Sequence, residues 1–203
     1  MVEHCACNPL NKPRADHDDI ALYTEGDQLF EAMLAAINSA QKQIWMEAYI
    51  FADDEVGNRF AQALIERAMA GVQVRLLVDA HGSMFQFYRS LGPDLERSGV
   101  DVRHFHRWSW REPLRYNRRD HRKLLVVDGH EAFLGGFNIH RQSSQRYFGA
   151  ARWRDTHASF HGDLARQASE LYDAFWCSDK QRFIKENEQI NSIIVPNQTR
   201  LCR

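Results

Sequence analysis

The chain has 203 residues, 44% hydrophobic, 26% charged and 11% aromatic, with 26 Lys and Arg against 27 Asp and Glu. That is enough apolar material for a real core and too much for global disorder, and the near-neutral balance means that any attraction to nucleic acid or membrane has to be local. No run of about 18 apolar residues occurs, so no transmembrane helix is expected, and the opening Met-Val-Glu-His-Cys-Ala-Cys-Asn lacks the basic-then-apolar pattern of a secretory signal.

In chain order, residues 1–19 are polar, carry Pro13 amid mixed charge, and are expected to form a flexible leader. The organised domain is expected over 20–177. Asp27 is placed to cap a helix whose apolar face is Leu29, Phe30, Met33, Leu34 and Ile37. A strand follows over Ile44–Phe51. Asp53 or Asp54 then caps a second helix with Val56, Phe60, Leu64 and Ala68 on one face, and Gly71 sits at its C-terminal end. The next strand is Val74–Asp79. Strand, helix and strand with short joints make a βαβ unit, hence a parallel pair. A third helix is expected within 85–98 and a strand at Val102–His106. Leu124 to Val127, the turn pair Asp128-Gly129 and Ala132–Leu134 read as a hairpin. A last strand fits Thr156–His161, and Asp163 caps a final helix that puts Leu164, Ala168, Leu171 and Phe175 inside. Residues 178–203 are expected to be a polar tail with one short apolar run, Ile193-Ile194-Val195. Short strands interleaved with helices predict an α/β sandwich, a mixed central β-sheet with helices on both faces. The four cysteines, Cys5, Cys7, Cys177 and Cys202, lie near the chain ends without a C-x-x-C pair and read as reduced thiols.

The informative segment is Asp120-His121-Arg122-Lys123-Leu124-Leu125-Val126-Val127-Asp128-Gly129, which contains H-x-K-x-x-x-x-D. Chance placement in this composition gives such a match roughly 0.02 times per chain. On a strand, His121 and Lys123 project to the same face, about 7 Å apart. An imidazole beside an ammonium suits phosphoryl transfer. The histidine is a nucleophile, partly neutral at pH 7, and the lysine neutralises charge developing on the phosphoryl oxygens. Gly135 and Gly136 would let backbone approach a ligand closely, and Asn138 can donate to a phosphate oxygen. With Lys123, Asn138 and nearby arginines supplying positive charge, neither a metal nor a cofactor is expected. His104 and His106 alternate on one strand without further ligands for a metal. His81, His140, His157 and His161 read as polar positions near a cleft, with no assigned role.

On these residues the chain resembles the phospholipase D superfamily: His121, Lys123 and Asp128, then Gly129, Gly135, Gly136 and Asn138, look like its signature. The resemblance extends to Trp45–Phe51, to Gly71-Val72 leading into Leu76–Asp79 and His81-Gly82-Ser83, and to Trp153–Thr156 followed by His161-Gly162. Over most of 20–177 the chain is similar to the N-terminal half of a bacterial cardiolipin synthase. The resemblance implies a phospholipase D-like sandwich and a phosphatidyltransferase working by double displacement, with His121 forming a phosphohistidine. It implies Asp155 as the carboxylate that holds this histidine. Asp128, the motif carboxylate, opens a turn, which suits bonds to backbone amides. Glu47 is either part of the substrate site or a carboxylate paired with a nearby Arg or Lys. Gly135, Gly136, Arg118 and Arg119 complete the expected substrate-binding set. The family builds one site from two motifs, and only one H-x-K is present. The second is expected from another copy in a homodimer, as in the family's small nucleases, or from a missing half; an inactive half-domain is the third reading.

Residues 107–123 hold seven basic and two acidic residues, interleaved with Trp108, Trp110 and Tyr116. That composition suits an anionic bilayer, with aromatics at headgroup level and arginines on phosphates. It also suits a nucleic-acid backbone with stacked bases. The length of the segment and the whole-domain resemblance favour an anionic phospholipid, phosphatidylglycerol-like, with nucleic acid as the alternative partner. The expected location is cytoplasmic, peripheral at the inner face of the cell membrane.

Overall fold

A computed structural model describes residues 20–79, 83, 86–105 and 120–177. The expected leader 1–19 and tail 178–203, His81, His106, and the aromatic and basic residues of 107–119, Arg118 and Arg119 included, lie outside the described residues.

The elements are β1 (Ala21–Tyr23), α1 (Gly26–Ser39), β2 (Gln43–Ala48), α2 (Glu55–Met69), β3 (Gln73–Asp79), α3 (Gln86–Arg89), α4 (Leu91–Arg97), β4 (Asp101–Phe105), β5 (Leu124–Val127), β6 (Glu131–Gly135), α5 (Gln145–Phe148), β7 (His157–His161) and α6 (163–177). The strands form one sheet in the order β1-β7-β6-β5-β2-β3-β4. β2, β3 and β4 run parallel, and β5 joins β2 antiparallel. The β5–β6, β6–β7 and β7–β1 pairs are also antiparallel. The expected α/β sandwich with a mixed central sheet is therefore present. One face packs Ile44, Met46, Leu76, Val78, Leu125 and Phe133 under α1 and α2. The other packs Trp45, Leu77, Leu124, Val126 and Ala132 under α6. All four residues of β5 are buried, the pattern of a strand covered on both faces.

Local chemistry accounts for most boundaries. Asp54, not Asp53, caps α2, with Oδ1 accepting from the N–H groups of Val56 and Gly57 at 3.0 Å each. Gly71 takes φ +89° past the end of α2. Val72 N–H donates to the Arg67 carbonyl and Gly71 N–H to that of Ala68, both at 3.0 Å, the two bonds of a Schellman motif. The helix expected within 85–98 is split at Ser90. Pro93 has no N–H and its ring would clash with the carbonyl four residues back, so α3 stops and α4 restarts with Pro93 in its first turn.

Several expectations need correction. Asp27 is not the cap of α1; Glu25 takes that position without a side-chain bond. The Asp27 carboxylate instead accepts from the Ser144 hydroxyl and from Arg146 N–H, tying α1 to α5. Asp163 lies inside α6 and pairs with Arg166. The buried face of α6 is Ala165, Ser169, Tyr172 and Trp176, while Leu164 and Leu171 are exposed. Its large aromatics outcompete the leucines because they reach the arginines of the sheet: the guanidinium of Arg75, which pairs with Asp173 at 2.6 Å, lies 5.5 Å from the Trp176 ring centroid, and that of Arg103 lies 3.6 Å from it. β1 escapes a sequence reading because Ala21 and Leu22 are exposed on an edge strand.

The β5–β6 hairpin turns on Asp128 and Gly129, at φ +52° and +74°, the left-handed pair that a type I′ turn requires. The Asp128 carboxylate accepts three backbone N–H groups, from Gln41, Lys42 and Gln43, at 2.9, 2.8 and 2.9 Å. Burial acts to raise its pKa, but the three N–H donors outweigh it and hold the carboxyl below its ordinary value. Asp128→Asn keeps the turn residue and loses the charge, so it should cost about 1–3 kcal/mol in urea unfolding at neutral pH. Because the folded-state pKa is the lowered one, the wild-type advantage is full above the ordinary carboxylate range and vanishes as pH falls through the folded value. Curves that stay parallel down to pH 2 would contradict this.

Candidate active site

Residues 120–123 lead into β5 but are not themselves part of the strand. They keep its alternation, and this separates two sets of side chains. His121 and Lys123 turn to one side; Arg122 turns to the other, under α6, where its guanidinium lies 4.0 Å from the Phe175 ring centroid.

His121 is exposed and Lys123 buried. Lys123 Nζ lies 3.2 Å from His121 Nδ1 and donates to the His121 carbonyl at 2.7 Å. The expected 7 Å spacing at the backbone closes to contact at the side-chain tips. The Tyr49 ring packs against both, tilted at 54° to the His121 ring with centroids 4.4 Å apart and lying 5.0 Å from Nζ. Burial lowers the Lys123 pKa to about 8, against the upward pull of Asp155, Asp120 and Asp79. His157 is buried alongside. Burial, helped by Lys123 and opposed by Asp155, pushes its pKa down to about 4, so its imidazole is neutral at pH 7.

The back of the site is a carboxylate relay. Asp120 N–H donates to Asp79 Oδ2 at 3.0 Å. The Asp120 carboxylate receives both Nε and Nη2 of Arg122, at 3.0 and 3.1 Å. Arg122 Nε also lies 3.2 Å from Glu47 Oε2. Glu47 is 2% exposed. Burial, reinforced by Asp120 and resisted by Arg122, lifts its pKa to about 7. Glu47 is thus the arginine-paired carboxylate, on the α6 side of the sheet, and not part of the His121–Lys123 face.

The remaining predicted residues sort plainly. Asn138 Oδ1 accepts from Ile50 N–H at 3.2 Å, which leaves its amide hydrogens for a ligand. Gly135 and Gly136 are needed for packing: a Cβ on Gly135 would strike the Thr156 and His157 backbone, and one on Gly136 would overlap the Asp155 carboxylate. Their smallness admits β7 and Asp155. Asp155 acts on Lys123 and His157 through its charge and accepts from Thr156 N–H at 2.7 Å. Among the described residues no hydrogen bond joins Asp155 to His121; Lys123 occupies Nδ1. Asp128 is at the far end of β5, roughly 16 Å away at about 3.3 Å per residue, and is structural. His161 is also at that end, 3.5 Å from Glu131, and not near the cleft. Tyr49, Asp79, Asp120 and Arg122 are residues that motif reading missed. Arg122 carried a usable signal, since the residue between His and Lys in an extended segment must face the opposite layer. Among the described residues, no three His, Cys, Asp or Glu side chains converge as metal ligands.

A seven-stranded mixed sheet with a His–Lys pair at the mouth of a buried central strand defines a phospholipase D-like domain. The fold matches the phospholipase D family member Nuc from Salmonella typhimurium with a TM-score of 0.61 at 19% identity, over 79% of this chain and 95% of that one. It matches phosphatidylserine synthase from Haemophilus influenzae at 0.59 and 14% identity, over 76% and 36%. The chain belongs to the family described as cardiolipin synthase, PLD-like domain, whose model matches residues 33–173. It is 40% identical over 156 residues to a cardiolipin synthase of Clostridium perfringens, covering 76% of this chain and 32% of that protein. A cardiolipin synthase of Oceanobacillus iheyensis is 34% identical over 176 residues, covering 85% and 36%. The chain therefore spans about a third of the length of these relatives.

Gly136→Ala should expel the Asp155 carboxylate from its place. Asp155 supports the Lys123 ammonium, so its displacement should move the Lys123 pKa further below about 8. NMR titration of the lysine side chains reads this, and an unchanged or raised value would refute the coupling.

Proposed function

We propose that this domain performs phosphatidyl transfer of the cardiolipin-synthase type on a phospholipid phosphodiester, through a phosphohistidine on His121. The observation that carries the reading is the contact of an exposed imidazole with a buried lysine at 3.2 Å, in a chain 40% identical to a cardiolipin synthase over the same region.

In this reading His121 Nε2 attacks phosphorus and the bond to the departing alcohol oxygen breaks. Attack from Nε2 needs the proton of neutral His121 on Nδ1. Lys123, as an ammonium, donates to Nδ1 and favours the opposite tautomer, so it must turn from Nδ1 to the phosphoryl oxygens as the diester arrives. There it offsets the charge that builds in the transition state. Asp155 is then the carboxylate left to orient the Nδ1–H, and the Asn138 amide donates to an equatorial oxygen. The departing oxygen takes a proton from an acid on the opposite side of phosphorus. That acid returns the favour to the second step by accepting the proton of the incoming alcohol, whose oxygen displaces His121. His157, neutral at pH 7 and on the same side as Lys123, is a poor acid for this. The acid belongs to a second motif, supplied by another copy of this chain about a two-fold axis or by sequence corresponding to the rest of the relatives.

The proposed substrate is an anionic phospholipid at a membrane surface, approached peripherally from the cytoplasmic side; no helix among the described residues is long and apolar enough to cross a membrane. Vesicles of phosphatidylglycerol set against single-stranded DNA separate lipid transfer from a nuclease-type phosphodiesterase.

His121→Ala should abolish both transfer and acid-labile phosphate trapping on the protein while leaving the unfolding curve unchanged, since an exposed residue contributes little core. In mixtures that exchange subunits, activity should fall below simple dilution; full activity from a monomeric species would refute the shared site. Activity should also decline as pH rises through about 8, because the Lys123 ammonium is lost there. A rate that keeps climbing to pH 10 would show that Lys123 does not act as a cation.

A further inference from the structure

His121 lies beyond the regular pairing of the sheet. The register of β5 with β2 ends at the Glu47–Leu124 pair, and the pairing with β6 ends at the Lys123 carbonyl, which accepts from Gly135 N–H at 3.3 Å. The His121 side chain is exposed, so core packing does not set its place. In-line attack on phosphorus nevertheless needs one ring position.

Both chain neighbours of His121 are anchored instead. Asp120 N–H donates to Asp79 Oδ2 at 3.0 Å, which ties the residue before the histidine to the end of β3. Asp120 Oδ1 accepts from Arg122 N–H at 3.2 Å, a turn that closes across His121. The Asp120 carboxylate also takes the Arg122 side chain in a two-pronged grip, Nε at 3.0 Å and Nη2 at 3.1 Å. Arg122 Nε lies 3.2 Å from Glu47 Oε2, which ties the residue after the histidine to β2. Phe175 covers the guanidinium face at 4.0 Å. Asp79, Asp120 and Glu47 are all buried. Burying three carboxylates is costly, and their arginine faces α6, away from the phosphoryl position. What the arrangement achieves is to locate residues 120 and 122 against two neighbouring strands.

We infer that Arg122, gripped by Asp120 and Glu47, is a positioning residue for phosphoryl transfer: the clamp on the α6 side of the sheet sets where the His121 ring stands on the other. The inference rests on the proposed function and deepens it, since none of the three side chains touches the reacting atoms. One limb of the clamp titrates. The groups that face Glu47 are Asp120, Arg122 and, from α6, Tyr172. Burial, with Asp120 adding to it, brings the Glu47 carboxyl to about 7. Glu47 therefore holds Arg122 as an anion above that pH, and below it Asp120 holds the guanidinium alone.

The test is stopped-flow release of p-nitrophenolate from bis(p-nitrophenyl) phosphate by the full chain. This leaving group departs as a stable anion and needs no acid, so the first displacement is read without a second motif: the bond from His121 Nε2 to phosphorus forms, the P–O bond breaks, and the phenolate keeps the electron pair. Burst amplitude counts competent molecules, and the burst rate constant reads their geometry. Arg122→Lys keeps the charge between the carboxylates but not the planar fork. It should lower the rate constant about tenfold or more and leave the half-saturating diester concentration unchanged. A wild-type rate constant, whatever the amplitude, would reduce Arg122 to a structural charge and overturn the inference. If Arg122→Lys fails to fold, Glu47→Gln decides. Its rate constant should fall below that of the wild type at about pH 8 and converge with it at about pH 6, where Glu47 is neutral in both; the ratio of the two cancels the titration of His121 itself. A ratio that stays the same across that range would remove Glu47 from the clamp and overturn the inference as stated. If the wild type gives no burst, or His121→Ala keeps it, the phosphohistidine reading itself fails and takes the clamp with it.

Discussion

The short central strand β5 sets the terms for the rest of the domain. It lies between β2 and β6 with helices above and below, and all four of its residues are buried. No polar side chain can sit along it without losing its hydration. All polar chemistry is therefore driven to its two ends, and the ends are built differently. At one, Asp128 gathers three N–H groups from the residues entering β2 and fixes the strand lengthwise. At the other, the pairing with β6 ends at the Lys123 carbonyl, which accepts from Gly135 N–H at 3.3 Å, and the segment 120–123 presents ionisable groups to both layers. A lysine can be buried there because its ammonium keeps a carbonyl, an imidazole and an aromatic ring as partners.

The two layers respond with opposite electrostatic logic. On the α6 side, the carboxylates of Glu47 and Asp120 converge on the Arg122 guanidinium, with Asp79 holding the Asp120 backbone. Burial is the main force that pushes Glu47 up to about 7, with the neighbouring Asp120 carboxylate adding to it and Arg122 resisting. On the other side Lys123 is a cation that the described carboxylates Asp155, Asp120 and Asp79 reach only through their charge, so burial wins and its pKa falls. The sheet separates a satisfied arginine from an under-satisfied lysine only one residue away. The first immobilises the backbone; the second is left able to move toward an anion.

Much of this was legible in the sequence, for reasons that differ by element. The βαβ unit and the hairpin stood out because their apolar runs, the Asp54 cap, Gly71 and Asp128-Gly129 all point the same way. The H-x-K pair was legible because alternation in extended chain is independent of tertiary context. Asp27 and Asp163 misled because a carboxylate at a helix start can serve a neighbouring element as well as its own helix. The face of α6 was misread because leucines were favoured over Tyr172 and Trp176, whose partners, Arg75 and Arg103, come from distant strands. What Gly135 and Gly136 make room for is not legible locally; the carboxylate and backbone that need their space become visible only when β7 is in place.

The lock at Asp128 has a consequence for how this motif can vary. Because the turn fixes where β5 ends, the face reached by each residue upstream is decided by counting back from Asp128, and the count has parity. Lys123 lies five positions before Asp128 and His121 seven, both odd; Arg122 lies six, which is even. Lengthening or shortening the run by one residue would exchange the two layers, burying a histidine and a lysine against α6 and turning the arginine outward. A change of two would restore the faces but lift the pair a further pleat from the sheet, away from Tyr49, Asn138 and Asp155. Substitution along Leu124–Val127 is a question of volume, whereas insertion or deletion there is a question of chemistry. The interval of four residues between lysine and aspartate works as a ruler whose zero is at the opposite end of the strand from the reaction.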